Sequence, residues 1–404
     1  MRMKRLLFVI NSLDGGGAEK SLISLLYELE KYKNKYTIDL LLPNKSGLFY
    51  SQIPNFVNEV EVPKELYYMS NSFIHLFKHK NFNIKLLLVK VKWLVQSRLN
   101  GNRSLGETEQ KLWKLWKEII KPLDKTYDVA ISYMNGYPNY YVIDKVKAKR
   151  KILWIHNEYA KLGYLKEYDN KYYFLADRIV TISDSCVASF SEVFPEYEEK
   201  TVVLENISSG NLINRLAKEG KIISHSFRSF SGLRILSIGR LVEQKNFQLA
   251  IESAEKLHND YPNLDFKWFV IGKGELEDEL KNMVDKKGLK KYFEFIGVER
   301  NPYPYIRLTD IFVQTSKFEG KSIVIDEAKI LQKPIICTDY KTVGNSIENN
   351  VTGIIVKQTK ESISEGIYKL YKDKELRNKL IRNLKKFENG NNEEIKKYIF
   401  EFER

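Results

Sequence analysis

A chain of 404 residues with 43% hydrophobic side chains is long enough for two domains, each with its own core. Only two cysteines occur, Cys186 and Cys337, both in apolar surroundings, which excludes a disulfide framework and a thiolate metal cluster and suits a reducing cytosol. The formal net charge of +14 is unevenly spread: residues 73–103 hold seven Lys/Arg and no Asp or Glu, which suggests an anionic partner, with ordinary solvated helix faces as the plainer reading.

The N-terminus opens on a basic, apolar stretch, but Leu6–Ile10 is too short for a signal peptide core, so a first β-strand is expected. Gly15-Gly16-Gly17 follows that strand. An amphipathic helix comes next, with Leu22, Leu25, Leu26 and Leu29 on one side. The turn has neither the ending of a Walker A loop nor the spacing of a dinucleotide fingerprint. Three glycines permit a ligand to approach the backbone closely; a plain tight turn is the other reading. Ile38–Leu42 and Val60–Val62 are the next predicted strands.

Phe82–Leu99 is predicted helical, with Ile84, Leu87, Leu88, Val91, Leu94 and Val95 on an apolar face and Lys85, Lys90 and Lys92 interspersed. Such a helix suits an anionic membrane surface, or equally a cover over the domain core with its lysines in water. No zinc finger, helix-turn-helix or RNA-binding signature accompanies it, so nucleic acid is not expected as a partner. No stretch is apolar enough for a transmembrane helix.

Tyr127–Tyr133, Lys151–Ile155 and Ala176–Thr181 read as strands, and Thr201–Leu204 closes the first half. His156 stands just past a strand end, where open α/β sheets bind ligands, and Asn206 lies at the expected hinge. After a polar stretch at 208–232 the pattern restarts. Leu233–Ile238 leads to Gly239-Arg240 and Lys245, and Phe266–Ile271, Tyr292–Ile296, Ile311–Thr315 and Ile335–Thr338 follow as strands. Alternating strands and helices with a mid-chain break favour two doubly wound α/β domains over one (β/α)₈ barrel. The expected boundaries are 1–207 and 208–385, with a tail at 386–404 packing back on the first domain.

The stretch 311–338 carries the most chemistry. Glu319 lies on a turn, Glu327 lies eight residues later on a helix, and Gly320–Ile323 brings free N–H groups to that helix's N-terminus, where a phosphate can sit. Arg240 and Lys245 are cations at a helix start, an unfavourable place without a compensating anion, and they suit a diphosphate. A glycosidase-like carboxylate pair fits poorly, because Glu327 sits about two turns along the helix from Glu319. No set of His, Asp or Glu has convincing metal-ligand spacing.

At this point EGKSIVIDEA, SIGRLVEQKN and GGGAEKS, supported by VIGKGELEDEL, FIGV and NSIENNVTGIIV, resemble segments of the group 1 family of retaining nucleotide-sugar glycosyltransferases. That family includes bacterial enzymes of capsule and cell-surface polysaccharide synthesis. The resemblance implies the GT-B fold, two Rossmann-like doubly wound domains facing across a central cleft. The first would bind acceptor and the second donor. It implies diphosphate binding by Arg240 and Lys245, ribose binding by Glu327, and contact of Glu319 with the transferred sugar. Gly320 and the backbone of Ser322 and Ile323 would meet the distal phosphate, and Val298 would border the base. Gly16 and Gly17 would approach donor or acceptor, His156 would touch sugar hydroxyls, and Asn206 matches an interdomain asparagine. The implied donor is a nucleoside-diphosphate sugar, with UDP expected, and no cofactor or obligatory metal. The implied acceptor is a glycan, a polyprenyl-linked sugar or a phosphate-containing polymer, met at the inner face of the cell membrane by a cytoplasmic protein. Lys321-Ser322 replaces the Phe-Gly of many members, so sugar identity does not carry over. A nucleotide-sugar 2-epimerase of the same fold and a non-catalytic assembly subunit are the competing readings.

Overall fold

The computed structural model describes residues 2–14, 16–45, 47–71, 88–89, 91, 104–319 and 322–404. Gly15, Gly320, Lys321 and nearly all of the basic segment 73–103, with its expected helix Phe82–Leu99, lie outside the described residues. The chain divides into two compact units, Met1–Ile207 with Glu393–Arg404, and Ser208–Asn392. Residues 386–392 belong to the second unit, so the return to the first begins at Glu393.

The first unit is built on a parallel sheet of β1 Lys4–Val9, β2 Tyr36–Leu41, β3 Asn58–Glu59, β4 Thr126–Ser132, β5 Lys147–Ile155, β6 Arg178–Thr181 and β7 Thr201–Val203. Its order is β3-β2-β1-β4-β5-β6-β7. Leu6, Leu7, Phe8 and Val9 are all buried, as expected of a central strand covered by helices on both faces. The second unit repeats the plan with β8 Leu233–Ile238, β9 Phe266–Ile271, β10 Phe293–Gly297, β11 Ile311–Gln314, β12 Ile335–Thr338 and β13 Ile354–Val356, ordered β10-β9-β8-β11-β12-β13. Both are open, parallel, Rossmann-like sheets, and the barrel alternative is excluded. In each, the strand order reverses once beside the first strand, between β1 and β4 and between β8 and β11.

Three expectations shift. The third strand is Asn58–Glu59 rather than Val60–Val62; both residues are exposed at the sheet edge, where pairing needs no apolar side chains, while Val60 turns into the core. β5 begins at Lys147, four residues early, because Lys147 and Ala148 pair with Thr126 and Tyr127 despite the charged KAKR sequence. The polar stretch 208–232 holds two helices, Gly210–Glu219 and His225–Ser229. Each is capped by a serine, with Ser209 accepting from the Leu212 N–H and Ser224 from the Phe227 N–H, and each is anchored by buried Leu212, Ile213, Ala217 or Phe227.

The helix Ile395–Glu403 completes the first unit. Phe402 meets the rings of Phe8 and Tyr36 edge-on at 6.1 and 6.3 Å, and Tyr398 stacks on Trp154 at 5.9 Å. Glu401, nearly buried, pairs with Arg178 at 3.3 Å, and Glu403 with Lys4 at 3.1 Å. Among the described residues, no helix is long and apolar enough to cross a membrane.

Candidate active site

In open α/β sheets, ligands bind beyond the carboxyl ends of the strands where the strand order reverses. In the second unit that place is the loops after β8 and β11, which carry Arg240 and Lys245 on one side and Glu319 and Ser322 on the other. Gly239 and Arg240 follow β8 directly. The close approach of the neighbouring strand end depends on Gly272, just past β9, whose φ of 152° suits glycine; a Cβ at this residue would lie 1.9 Å from the Gly239 carbonyl oxygen.

The two loops are stapled together. Lys317 N–H donates to the Gln244 carbonyl at 2.8 Å, Gln244 Nε2 donates to the Phe318 carbonyl at 2.9 Å, and Thr315 Oγ1 donates to the Lys245 carbonyl at 2.9 Å. Glu319 is thereby brought against Lys245. Its Oε1 accepts from Lys245 Nζ at 2.5 Å, Ser316 Oγ at 2.7 Å and Gln314 Nε2 at 3.2 Å; Oε2 accepts from Gln244 Nε2 at 3.4 Å. The two side chains are only 16% and 9% exposed, so this is a largely desolvated ion pair with its carboxylate well supplied with donors.

Arg240 and Lys245 therefore differ in a way their spacing did not suggest. The stem of Lys245 passes across Gly239 and its charge is met by Glu319. Arg240 is exposed, and among the described residues its guanidinium has no partner.

Ser322 is buried at the N-cap of the helix Ile323–Ile330, yet its hydroxyl does not cap that helix. It donates instead to Gln314 Oε1 at 2.7 Å. Glu327, on the same helix, is 1% exposed, and its Oε1 accepts from the Tyr303 hydroxyl at 3.0 Å. Val298 is 40% exposed just after Gly297, at the end of β10. Asp326, next to Glu327, is partly covered, with Lys329 Nζ at 3.7 Å. Gln314, Ser316, Gln244 and Tyr303 are site residues that sequence reasoning passed over. For Gln314 the available signal was a lone amide closing the apolar run Ile311–Val313.

In the first unit, Gly16 and Gly17 are exposed at the N-terminus of the helix Gly17–Leu29, which has no side-chain cap. His156 follows β5 and is 7% exposed, with Nε2 at 3.1 Å from the Tyr133 carbonyl, which lies just past β4. That contact assigns the proton to Nε2 and leaves Nδ1 a lone pair, for which the described residues supply no partner. Asn206 is buried two residues after Leu204.

Burial lowers the His156 pKa from 6.5 to about 4, so the ring is neutral at physiological pH. Between pH 6.5 and 4 the unfolded chain takes up a proton that the folded one refuses, so stability is full above 6.5 and falls as pH drops toward 4. Denaturant titrations across this window should show that loss in the wild type and a shallower one in His156→Gln; parallel curves would refute it.

Comparison with known proteins adds identity to this geometry. Residues 230–387 match the family model for glycosyl transferases group 1. The chain is 25% identical over 383 residues to the N-acetylgalactosamine-N,N'-diacetylbacillosaminyl-diphospho-undecaprenol 4-alpha-N-acetylgalactosaminyltransferase of Campylobacter jejuni, covering 93% of this chain and 92% of that one. It is 28% identical over 203 residues to an uncharacterised glycosyltransferase of Methanocaldococcus jannaschii, of which it spans only about half (48%). Among solved structures it resembles HepE of Anabaena in complex with UDP and glucose, with TM-score 0.65, 15% identity and 98% of each chain covered. That likeness shows the fold, and two Rossmann-like parallel sheets are what GT-B implies. Residues 230–387, which hold β8 to β13, are therefore the part of this chain that matches the glycosyl transferases group 1 family.

Proposed function

We propose that the protein is a retaining glycosyltransferase that moves a sugar from a nucleoside-diphosphate sugar, with UDP as the expected carrier, to a growing cell-surface glycan or lipid-linked acceptor. One observation carries this reading: Lys245, Glu319 and the uncapped start of the helix Ile323–Ile330 are linked by one hydrogen-bond network at the strand-order reversal. A cation and free backbone amides beside a sugar-binding carboxylate suit a phosphorylated sugar.

As the nucleoside diphosphate leaves, negative charge grows on its distal phosphate. Arg240, Lys245 and the amides of Ser322 and Ile323 stabilise that charge more in the transition state than in the ground state. The departing phosphate oxygen takes the acceptor's proton, and attack from the face it vacates retains the configuration. Glu319 holds the sugar, Glu327 the ribose and Val298 borders the base. In the first unit, which we assign to acceptor binding, His156 offers its neutral Nδ1 to a sugar hydroxyl, and Gly16, Gly17 and Asn206 keep the roles the resemblance implies. UDP in the HepE complex supports the choice of carrier, and the diphospho-undecaprenol substrate in the Campylobacter relative's name supports a lipid-linked acceptor. We assign the basic segment 73–103 to contact with the anionic inner face of the cell membrane.

The test is sugar transfer from a panel of nucleotide sugars to a polyprenyl-diphosphate glycan on anionic liposomes. Acceptor-dependent transfer with retained anomeric configuration is expected, with salt-sensitive sedimentation on the liposomes. Interconversion of donor without acceptor would replace the reading with epimerisation, and an inverted product would overturn retention.

A further inference from the structure

Gln314 ends β11 and is 6% exposed, at a position where a parallel strand ordinarily carries an apolar side chain. A buried amide there must satisfy both of its ends. One end is Nε2, which reaches Glu319 Oε1 and Ser316 Oγ, each at 3.2 Å. The other is Oε1, which accepts from Ser322 Oγ at 2.7 Å. The amide's orientation is fixed by its surroundings, since the reverse orientation would set a carbonyl oxygen against the Glu319 carboxylate.

The contact with Ser322 has a second effect. Serine at an N-cap ordinarily accepts a hydrogen bond from an amide of the first helical turn. Here the hydroxyl is engaged as a donor to Gln314, and no side chain caps the helix Ile323–Ile330. The Ile325 N–H, which such a cap would engage, turns to the Ser322 carbonyl at 3.1 Å, and among the described residues the N–H groups of Ile323 and Val324 have no acceptor.

We propose that Gln314 is a positioning residue for the transfer reaction: one side chain aims the Glu319 carboxylate and holds the Ser322 hydroxyl away from the helix start, keeping the phosphate-binding amides open. This deepens the transferase reading and rests on it. It assigns to Gln314 the coupling between the sugar-holding carboxylate and the phosphate-holding backbone. Neither effect requires Gln314 to touch the substrate.

The experiment compares Gln314→Leu and Gln314→Glu with the wild type, in the full chain, by kcat/KM for the best nucleotide sugar, by calorimetric UDP affinity and by thermal melting. In Gln314→Leu the freed Ser322 hydroxyl can turn to cap the helix and compete with phosphate. A fall of roughly 10- to 100-fold in kcat/KM is expected, with weakened UDP binding. Adding Ser322→Ala to Gln314→Leu removes the competing cap and should recover UDP affinity at least in part, which a merely structural role would not produce. Gln314→Glu places a second carboxylate beside Glu319 and should move the acid limb of the kcat/KM profile to higher pH.

Wild-type UDP affinity, kcat/KM and pH profile in folded Gln314 variants would overturn the assignment. So would a loss in Gln314→Leu that Ser322→Ala leaves unrelieved. If the wild type transfers no sugar while Gln314→Leu still weakens UDP binding and Ser322→Ala restores it, the transferase reading fails and the assignment of Gln314 to the phosphate site stands.

Discussion

Lys245→Ala should lower kcat/KM by about 10²- to 10³-fold, the range found when one preorganised charge-stabilising group is removed from a transition state. The Lys245 charge is already met by Glu319, at 2.5 Å in a site that largely excludes water. A diphosphate arriving beside this pair meets a lysine fixed in place, with little side-chain freedom left to lose. The same packing predicts a modest structural cost. Ser316, Gln314 and Gln244 still donate to the Glu319 carboxylate when Lys245 is gone, so stability should fall by only about 1–3 kcal/mol. Lys245→Arg keeps the charge but exchanges a compact ammonium for a broad fork, and should recover part of the rate. Steady-state kinetics with melting curves separates the two effects. A fully active Lys245→Ala protein would remove Lys245 from the diphosphate.

Phe402→Ala should cost about 3–5 kcal/mol and lower the melting temperature by roughly 6–20 °C. Phe402 is wholly buried in the first unit, against Phe8 of β1 and Tyr36 of β2, so truncation leaves a hole beside the central strands. Two residues earlier on the same helix, Phe400 is 62% exposed, and Phe400→Ala should change stability by no more than about 0.5 kcal/mol. Denaturant melts of the two variants make the comparison, and equal effects would show that this helix does not hold the sheet.

Much of the fold was legible because parallel strands buried on both faces read as apolar runs, and those runs stop at glycines or at the site residues. Gly239, Gly272 and Gly297 each mark the end of a run. What escaped notice followed other rules. β3 lies at an edge and carries Asn58 and Glu59, so no apolar run announces it. The helices Tyr137–Lys145 and Tyr303–Leu308 contain prolines, which discourage a helical reading, although Pro138 and Pro304 sit in the first turn where the missing N–H costs nothing. Of the site, the charged residues stood out by type, but their partners did not. Lys245 and Glu319 are 74 residues apart, and only the adjacency of β8 and β11 brings their loops together. Gln314 and Tyr303 act by holding other residues, a role that spacing in one sequence does not display.

The return of residues 393–404 to the first unit also sets an order of assembly. The strands carrying Phe8, Tyr36 and Trp154 emerge from the ribosome early, but the side chains that cover them, Tyr398 and Phe402, are made only after the entire second unit. At ordinary rates of synthesis the 185 residues from Ser208 to Asn392 take roughly 10–40 s. Through that interval the first unit carries an apolar, aromatic patch awaiting its final helix, a binding site for chaperones on the nascent chain and a place where premature release would expose the protein to aggregation.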